Sequence, residues 1–485
     1  MSAARRRLRL FGPVLSNNET SALVHAIDIS PMPSVSLGLP PKSEQLYQGY
    51  SHVDEVPEEL FTQLDVKRGL RNADGSGVLV GLTTISNVHG YNKTDEGVVP
   101  DEGDLIIRGY HLEDLVSHAW EEKRFGYEEI SYLLISGFLP NEEQLDDFQA
   151  RLDARRELPS GYLKIFPRTT MSPSIMNVLQ RATLLLYAFD PTPDDTSPVH
   201  EVDVAISLLS RLPRIAAVAV AANKAMRNRE RLVVPPVCDG YSMAETILDV
   251  LRGDEGFSQD EARLLDVMLM LHAEHGGGNN STFSCRVLSS SGTDAYSSYA
   301  AAMGSLKGPK HGGANAKVGD MIDDAAYNIR DWSNDDQVYA YLERVAKKEA
   351  FDKTGLIYGL GHAVYTLSDP RAHLVKRYAR SIAEAKGCED KLALIESIER
   401  IGPEVMRDVR GLQKPLCANI DLYTGFIYSM LGIPREMHTP IFAIARLSGW
   451  VAHRMEELYG SARIIRPAYR SHIAEVDYVP LSERP

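Results

Sequence analysis

The sequence predicts a mostly α-helical protein of two or more domains, with helices packed on helices in layers. Three observations predict it. A chain of 485 residues exceeds what one hydrophobic core ordinarily serves. The segment EARLLDVMLMLHAEH, Glu261–His275, is apolar nearly all the way round, which marks a helix buried between other helices. From Leu112 onward almost everything reads as helix, and no strand-turn-strand series is present that would build a large sheet.

The elements follow in order. Residues 1–60 are rich in Pro, Ser and Gly without sustained periodicity, and read as an N-terminal extension or arm, partly disordered. Val78–Val88 (VLVGLTTISNV) is a short β-like stretch, followed by a polar, acidic excursion from His89 to Asp104 that ends in LIIRGY. Asp294 is placed to cap a helix over Ala295–Leu306, which stops at Lys307-Gly308-Pro309. Ser368 or Asp369 caps the next long helix, with Pro370 at its first position and Gly387 at its end.

Composition excludes several classes. Charged residues are 24% and hydrophobic ones 44%, typical of a soluble globular protein. The net charge of −14 argues against a nucleic-acid partner, and it requires that any anionic substrate meet locally clustered cations. Cys238, Cys285, Cys388 and Cys417 form no CxxC pair, which argues against a disulfide framework or a sulfur-based zinc site and suits a reducing compartment. The longest uninterrupted apolar run, Ile215–Ala222, is too short for a membrane span. The basic start MSAARRRLRLFGPVLSNN reads as a targeting peptide or a basic tail, and it lacks a secretory apolar core. The expected location is the cytoplasm.

Three stretches set titratable side chains among glycines and apolar residues: GPKHGGAN around His311, GLGHAVYTLSDPRA around His362 and NIDLYTG around Asp421. Imidazoles titrate near neutrality and a carboxylate in dry surroundings becomes a usable base, which together equip a site to remove a proton beside a carbonyl. His311 precedes a helical pattern through Met321. The helix dipole and Lys310 favour its neutral form, which can donate a hydrogen bond to a carbonyl; local helix capping is the alternative. His362 lies in a loop with Gly359 and Gly361, where backbone can approach a ligand closely. Arg371 falls in the first turn of the next helix, where a cation opposes the dipole and a bidentate carboxylate would justify it. Asp421, flanked by Ile420 and Leu422 with Gly425 one turn on, is either a base with a pKa raised by desolvation or a helix N-cap.

His272 and His275 lie three apart, but the pattern is not HExxH and no third ligand is evident, so no metal is expected. His272 reads as a satisfied core histidine. His275 meets Gly276-Gly277-Gly278-Asn279-Asn280, where the helix must end and a ligand can approach. Arg446 lies one turn from Phe442 and Trp450 on an apolar stripe, so it needs an anionic partner. Arg466, in ARIIRPAYR, sits in a loop-like tail.

These motifs, with GLTTIS, IIRGYHLEDL and YEEISYLLISGFLP before them, LHAEHGGGNNSTFSCRV among them and IFAIARLSGWVAH after them, resemble the citrate synthase family over roughly Val78 to Tyr469. The family includes 2-methylcitrate synthase. The resemblance implies the all-α citrate synthase fold, with a large helical domain (61–312 and 433–485) and a smaller helical domain (313–432) closing over a cleft. It implies a homodimer, or a multiple of dimers, with shared active sites. His311 would stabilise the enol of the acyl-CoA thioester, Asp421 would remove its α-proton, and His362 would polarise the oxaloacetate carbonyl. His275, Arg371 and Arg446 would hold the oxaloacetate carboxylates, joined by Arg466 from a second subunit. Hydrolysis of citryl-CoA would complete a reaction that needs no metal or redox cofactor, acetyl-CoA being a substrate. Propionyl-CoA as substrate, or a catalytically silent relative, are the alternatives. Three departures stand out: Gly276 where relatives often have Glu, Thr366 where they often have Arg or Lys for a CoA phosphate (Lys307, Lys310 or Lys353 being the substitutes), and the insertion at Tyr91–Glu102.

Overall fold

Side-chain caps set many of the helix boundaries. In the computed structural model, which describes residues 56–484 apart from Glu96, Thr170, Met171, Pro173, Pro235, Val237, Ser461 and Ala462, the Asp294 carboxylate accepts from the Ser297 N–H at 2.8 Å and starts Ala295–Leu306 as expected. Asp369, not Ser368, caps Pro370–Ala385 through the Arg371 N–H at 3.0 Å. The expectation for the N-terminal extension falls almost wholly on residues 1–55, outside those described.

The described residues form two compact units, 82–463 and 56–81 with 464–484. In the first, the helices Gln259–His272 and His438–Tyr459 are largely buried, and His438–Tyr459 packs against Tyr127–Ser136, Pro198–Asn228, Gln259–His272 and Asn280–Ser289. Arg454 crosses this centre to a fully buried Glu201, Nη2 to Oε1 2.6 Å, with Ser298 accepting at 2.9 Å. Burial on all sides explains why Gln259–His272 shows no polar face. The 31-residue helix Pro198–Asn228 is long and apolar enough to cross a membrane by length and composition, although its longest unbroken apolar run is short; 83% of its apolar window is buried inside the protein. The other unit holds the short helix Glu58–Gln63, braced by Arg68 on Glu58 at 2.8 Å, and a turn closed by a bridge between Arg71 and Gly77.

The β-structure lies elsewhere than expected. Val78–Ile85 is not strand; Ser86–Thr94 (β1) and Gly97–Ile107 (β2) form an antiparallel hairpin, extended by Tyr110–His111 (β3). The acidic excursion is therefore the hairpin itself. Its polarity misled because most of its outer length is solvated, while Leu105 and Ile107 at the inner end are fully buried. The ladder shifts register between His89 and Tyr91.

Candidate active site

The hairpin matters because it docks on the loop that carries His362. A Cβ at Gly90 would lie 2.7 Å from the Tyr365 Cα, and one at Gly103 would overlap the Ser368 carbonyl oxygen, so only glycine permits this approach. Thr366 donates to the Gly90 carbonyl and accepts from the Asp101 N–H at 3.1 Å. That is what replaces the basic residue expected four positions after His362. The threonine is a strut for the inserted hairpin, and Lys307, Lys310 and Lys353 are all exposed.

Next, the His362 loop is zipped to the segment preceding Asp421. Leu360 and Ala418 form a β-bridge, the Gly361 N–H donates to the Cys417 carbonyl at 2.7 Å, and the Asn419 N–H donates to the Gly359 carbonyl at 2.9 Å. Gly359 has φ 85° and Gly361 φ 90°, and a Cβ on Gly359 would lie 3.0 Å from the Leu422 Cα. The two glycines were expected to clear space for a ligand; their requirement here is left-handed backbone and contact with the Asp421 helix. His362 Nδ1 accepts from the backbone N–H of Val364 at 3.1 Å and of Tyr365 at 3.0 Å. Fixed donors on Nδ1 leave the neutral ring's proton on Nε2.

Arg371 finds a partner that the sequence reading did not assign to it. Asp369 takes its Nε at 3.0 Å and Nη2 at 2.7 Å, and also accepts from the Ile420 N–H at 3.3 Å. The guanidinium holds the Asp369 carboxyl low despite burial, and is itself held fully protonated by it. The cation at a helix N-terminus is thus offset by a buried carboxylate, with Nη1 remaining for a ligand.

Asp421 is the first residue of the helix Asp421–Met430, and its side chain makes no N-cap bond, which removes the capping alternative. Its Oδ1 is enclosed without a partner, and burial pushes its pKa up to about 6 against the pull of Arg371. Gly425, one turn on, lines a cavity of about 150 Å³ shared with Asn315 and His438. The cavity is walled by the helix that follows His311, but Asp421 itself is not among its lining residues.

His311 precedes the helix Ala314–Asn328, and its Nε2 accepts from the Ser281 N–H at 3.3 Å. The proton of the neutral ring is therefore on Nδ1. Burial first, then Arg446, lower its pKa to about 4. Neutral at ordinary pH, the ring can donate to a developing oxyanion without first losing a proton.

His275 and Arg446 complete the cluster. The His275 and His362 rings lie 5.1 Å apart between centroids, near perpendicular. His275 is buried with Nε2 unpartnered, and its pKa is lowered by burial and then by Arg371. Arg446, 1% exposed, donates Nε to the His272 carbonyl at 2.5 Å and leaves Nη2 unpartnered, its pKa lowered to about 10 by burial. The buried Glu274 carboxylate acts on this charge without a hydrogen bond to it, so Nη2 remains open to a further anion. His272 is buried as expected but not satisfied: both ring nitrogens lack partners, and the ring packs on Phe442 at 4.3 Å.

Support below His275 comes from Glu274, which the sequence showed only as the residue between two histidines. Fully buried, it accepts from His453 Nε2 at 2.8 Å, Ser86 Oγ at 2.8 Å and the Gly276 N–H at 2.6 Å, and its pKa falls to about 2. A carboxylate thus reaches the Gly276 position from two residues upstream, where Glu was expected in the chain. Ser281 was likewise missed as a support, because its bond to His311 crosses from one element to another, and Asp369 was read only as a cap. Arg466 lies in the other unit and is exposed. Among the described residues no His/Cys/Asp/Glu group could hold a metal ion.

The sequence matches the family profile described as "Citrate synthase, C-terminal domain" over residues 73–468. The chain belongs to the citrate synthase family. It is accordingly an enzyme that transfers an acyl group in a condensation. A citrate synthase of Haloferax volcanii is 33% identical over 425 residues, covering 87% of this chain and 99% of the relative. A 2-methylcitrate synthase of Corynebacterium glutamicum is 34% identical over 427 residues, covering 86% and 98%. The citrate synthase structure from Pyrobaculum aerophilum aligns with a TM-score of 0.67 at 28% identity, covering 84% of this chain and 94% of that one. That from Thermoplasma acidophilum, solved as a ternary complex with carboxymethyl coenzyme A and oxaloacetate, gives 0.68 at 24% identity, covering 86% and 99%, and at that identity speaks for the fold. The all-α citrate synthase fold is thereby established.

Proposed function

We propose that the enzyme condenses acetyl-CoA with oxaloacetate and hydrolyses the resulting citryl-CoA to citrate and CoA. The observation that carries this reading is Arg446: a buried cation with a free Nη2, beside the unpartnered His275 Nε2 and the remaining Nη1 of Arg371. Such a nest suits a small dicarboxylate.

In this reading Asp421 takes the α-proton of the thioester while His311 Nδ1–H donates to its carbonyl oxygen, so that enol charge is met as it develops. The enol carbon bonds to the oxaloacetate carbonyl carbon, and the carbonyl electron pair moves to the oxygen held by His362 Nε2–H. Water then cleaves the thioester and CoA leaves as thiol. Closure of residues 313–432 over the cleft would exclude water until carbon–carbon bond formation is complete.

Propionyl-CoA is the second reading, favoured by the equal similarity to a 2-methylcitrate synthase. One methylene changes binding by about 1–3 kcal/mol, so the choice rests on rates. Thiol release is to be measured with oxaloacetate and each thioester. A higher kcat/KM with acetyl-CoA is expected; a tenfold preference for propionyl-CoA reverses the assignment, and no release with either removes it. The proposal includes a homodimer in which Arg466 serves the neighbouring site. The exposed Tyr469, Ile473, Val476 and Tyr478 beside Arg466 support it, since such an apolar tail is suited to burial against a second copy.

A further inference from the structure

One buried polar group among these residues has no part in that chemistry. Tyr365 is 2% exposed and held on every side. Its ring stacks on His362 at 4.6 Å, meets His275 edge-on at 5.4 Å, and has the Arg371 guanidinium 5.5 Å from its centroid. Its backbone N–H holds His362 Nδ1, and the hairpin closes over it at Gly90. Yet its hydroxyl is enclosed without a hydrogen-bond partner. Buried tyrosine hydroxyls ordinarily have one, because an unpaired donor forfeits its hydration. If only the ring mattered, the hydroxyl would be a cost with no return.

Tyr365 Oη, His275 Nε2 and Arg446 Nη2 are all enclosed and unpartnered in this cluster, as are Asp421 Oδ1, Glu274 Oε2 and the His272 ring nitrogens. Arg371 and Arg446 act electrostatically on the hydroxyl, as do the carboxylates of Asp369 and Asp104, so it lies among the charges of this cluster. A carboxylate offers about four lone-pair directions and can accept from a hydroxyl, a guanidinium and an imidazole together. We propose that the Tyr365 hydroxyl is a further ligand of a substrate carboxylate, donating to it beside His275 and Arg446. This rests on the oxaloacetate reading above and adds a residue to it.

The test is Tyr365→Phe, which keeps the ring and its contacts and deletes the oxygen alone. The full-length protein is titrated calorimetrically with oxaloacetate in the absence of any CoA ester. The variant is expected to bind about tenfold more weakly, as for loss of a hydrogen bond to a charged acceptor, while its ligand-free thermal midpoint holds or rises. Binding within twofold of wild type overturns the proposal. So does a lowered ligand-free midpoint, since it would mean the hydroxyl is satisfied inside the protein. Tyr365→Leu, lacking the ring, is expected to lower turnover as well by freeing His362; equal effects of the Phe and Leu variants on turnover overturn the separation of ring from hydroxyl. A wild-type protein that binds no oxaloacetate sinks the proposed function and this inference together, whereas wild-type binding with an unchanged Phe variant sinks this inference alone.

Discussion

Replacing Asp421 by Asn should abolish turnover and stabilise the protein. The carboxyl's pKa is raised from 3.8 to about 6 by burial, so the folded state binds its proton more tightly than the unfolded chain does. Its contribution is therefore most favourable below the unfolded value and is lost as pH rises through about 6. At neutral pH the ionised base is a standing cost of up to about 3 kcal/mol, from about 1.4 kcal/mol per unit. Asn removes that cost and the base together. General-base catalysis contributes about 10²–10⁴-fold, and the variant's thiol-release rate should fall at least that far. Its denaturation midpoint should exceed wild type near neutrality, the gap closing as pH falls from about 6 towards 4. Wild-type kcat/KM should itself drop about tenfold between about pH 7 and pH 5, as the ionised fraction falls from about nine-tenths to about one-tenth. A variant within tenfold of wild type, or one destabilised at neutral pH, refutes the reasoning.

Arg446→Met should weaken oxaloacetate binding by at least about a hundredfold, on the order of a lost charged contact; calorimetry decides it. Gly103→Ala should push the hairpin off the His362 loop and reduce kcat more than tenfold with secondary structure intact by circular dichroism; a fully active variant would mean the hairpin is only decoration. Mixing inactive Asp421→Ala and Arg466→Ala chains should restore activity approaching half of wild type per heterodimer, since one of two shared sites receives both intact residues. No recovery, with heterodimers seen by native mass spectrometry, would place Arg466 outside the neighbouring site.

Helix caps and the three histidine and aspartate stretches were legible because their signals are local. Asp294 and Pro370 act within one turn, and His311, His362 and Asp421 announce themselves by composition. The hairpin was not legible, because its pairing of Ser86 with Ile107 and its docking at Gly90 and Gly103 are long-range facts carried by polar residues and glycines. Likewise Arg371 read as unopposed. Its partner stood two residues away, already assigned to a cap, and one carboxylate serves both purposes. The two glycines beside His362 were noticed for the wrong reason, since glycine looks the same whether it admits a ligand or a left-handed turn.

That shared carboxylate has a mechanical meaning. Through Asp369 and the bridge at Leu360–Ala418, the ring of His362, the cation Arg371 and the carboxyl of Asp421 hang from one framework. His275 and Arg446 hang from another, built on Gln259–His272 and His438–Tyr459 and braced by Glu274. On the function proposed above, any closing motion would carry the His362 and Asp421 side chains together, while His275 and Arg446 would hold a dicarboxylate before an enol could form.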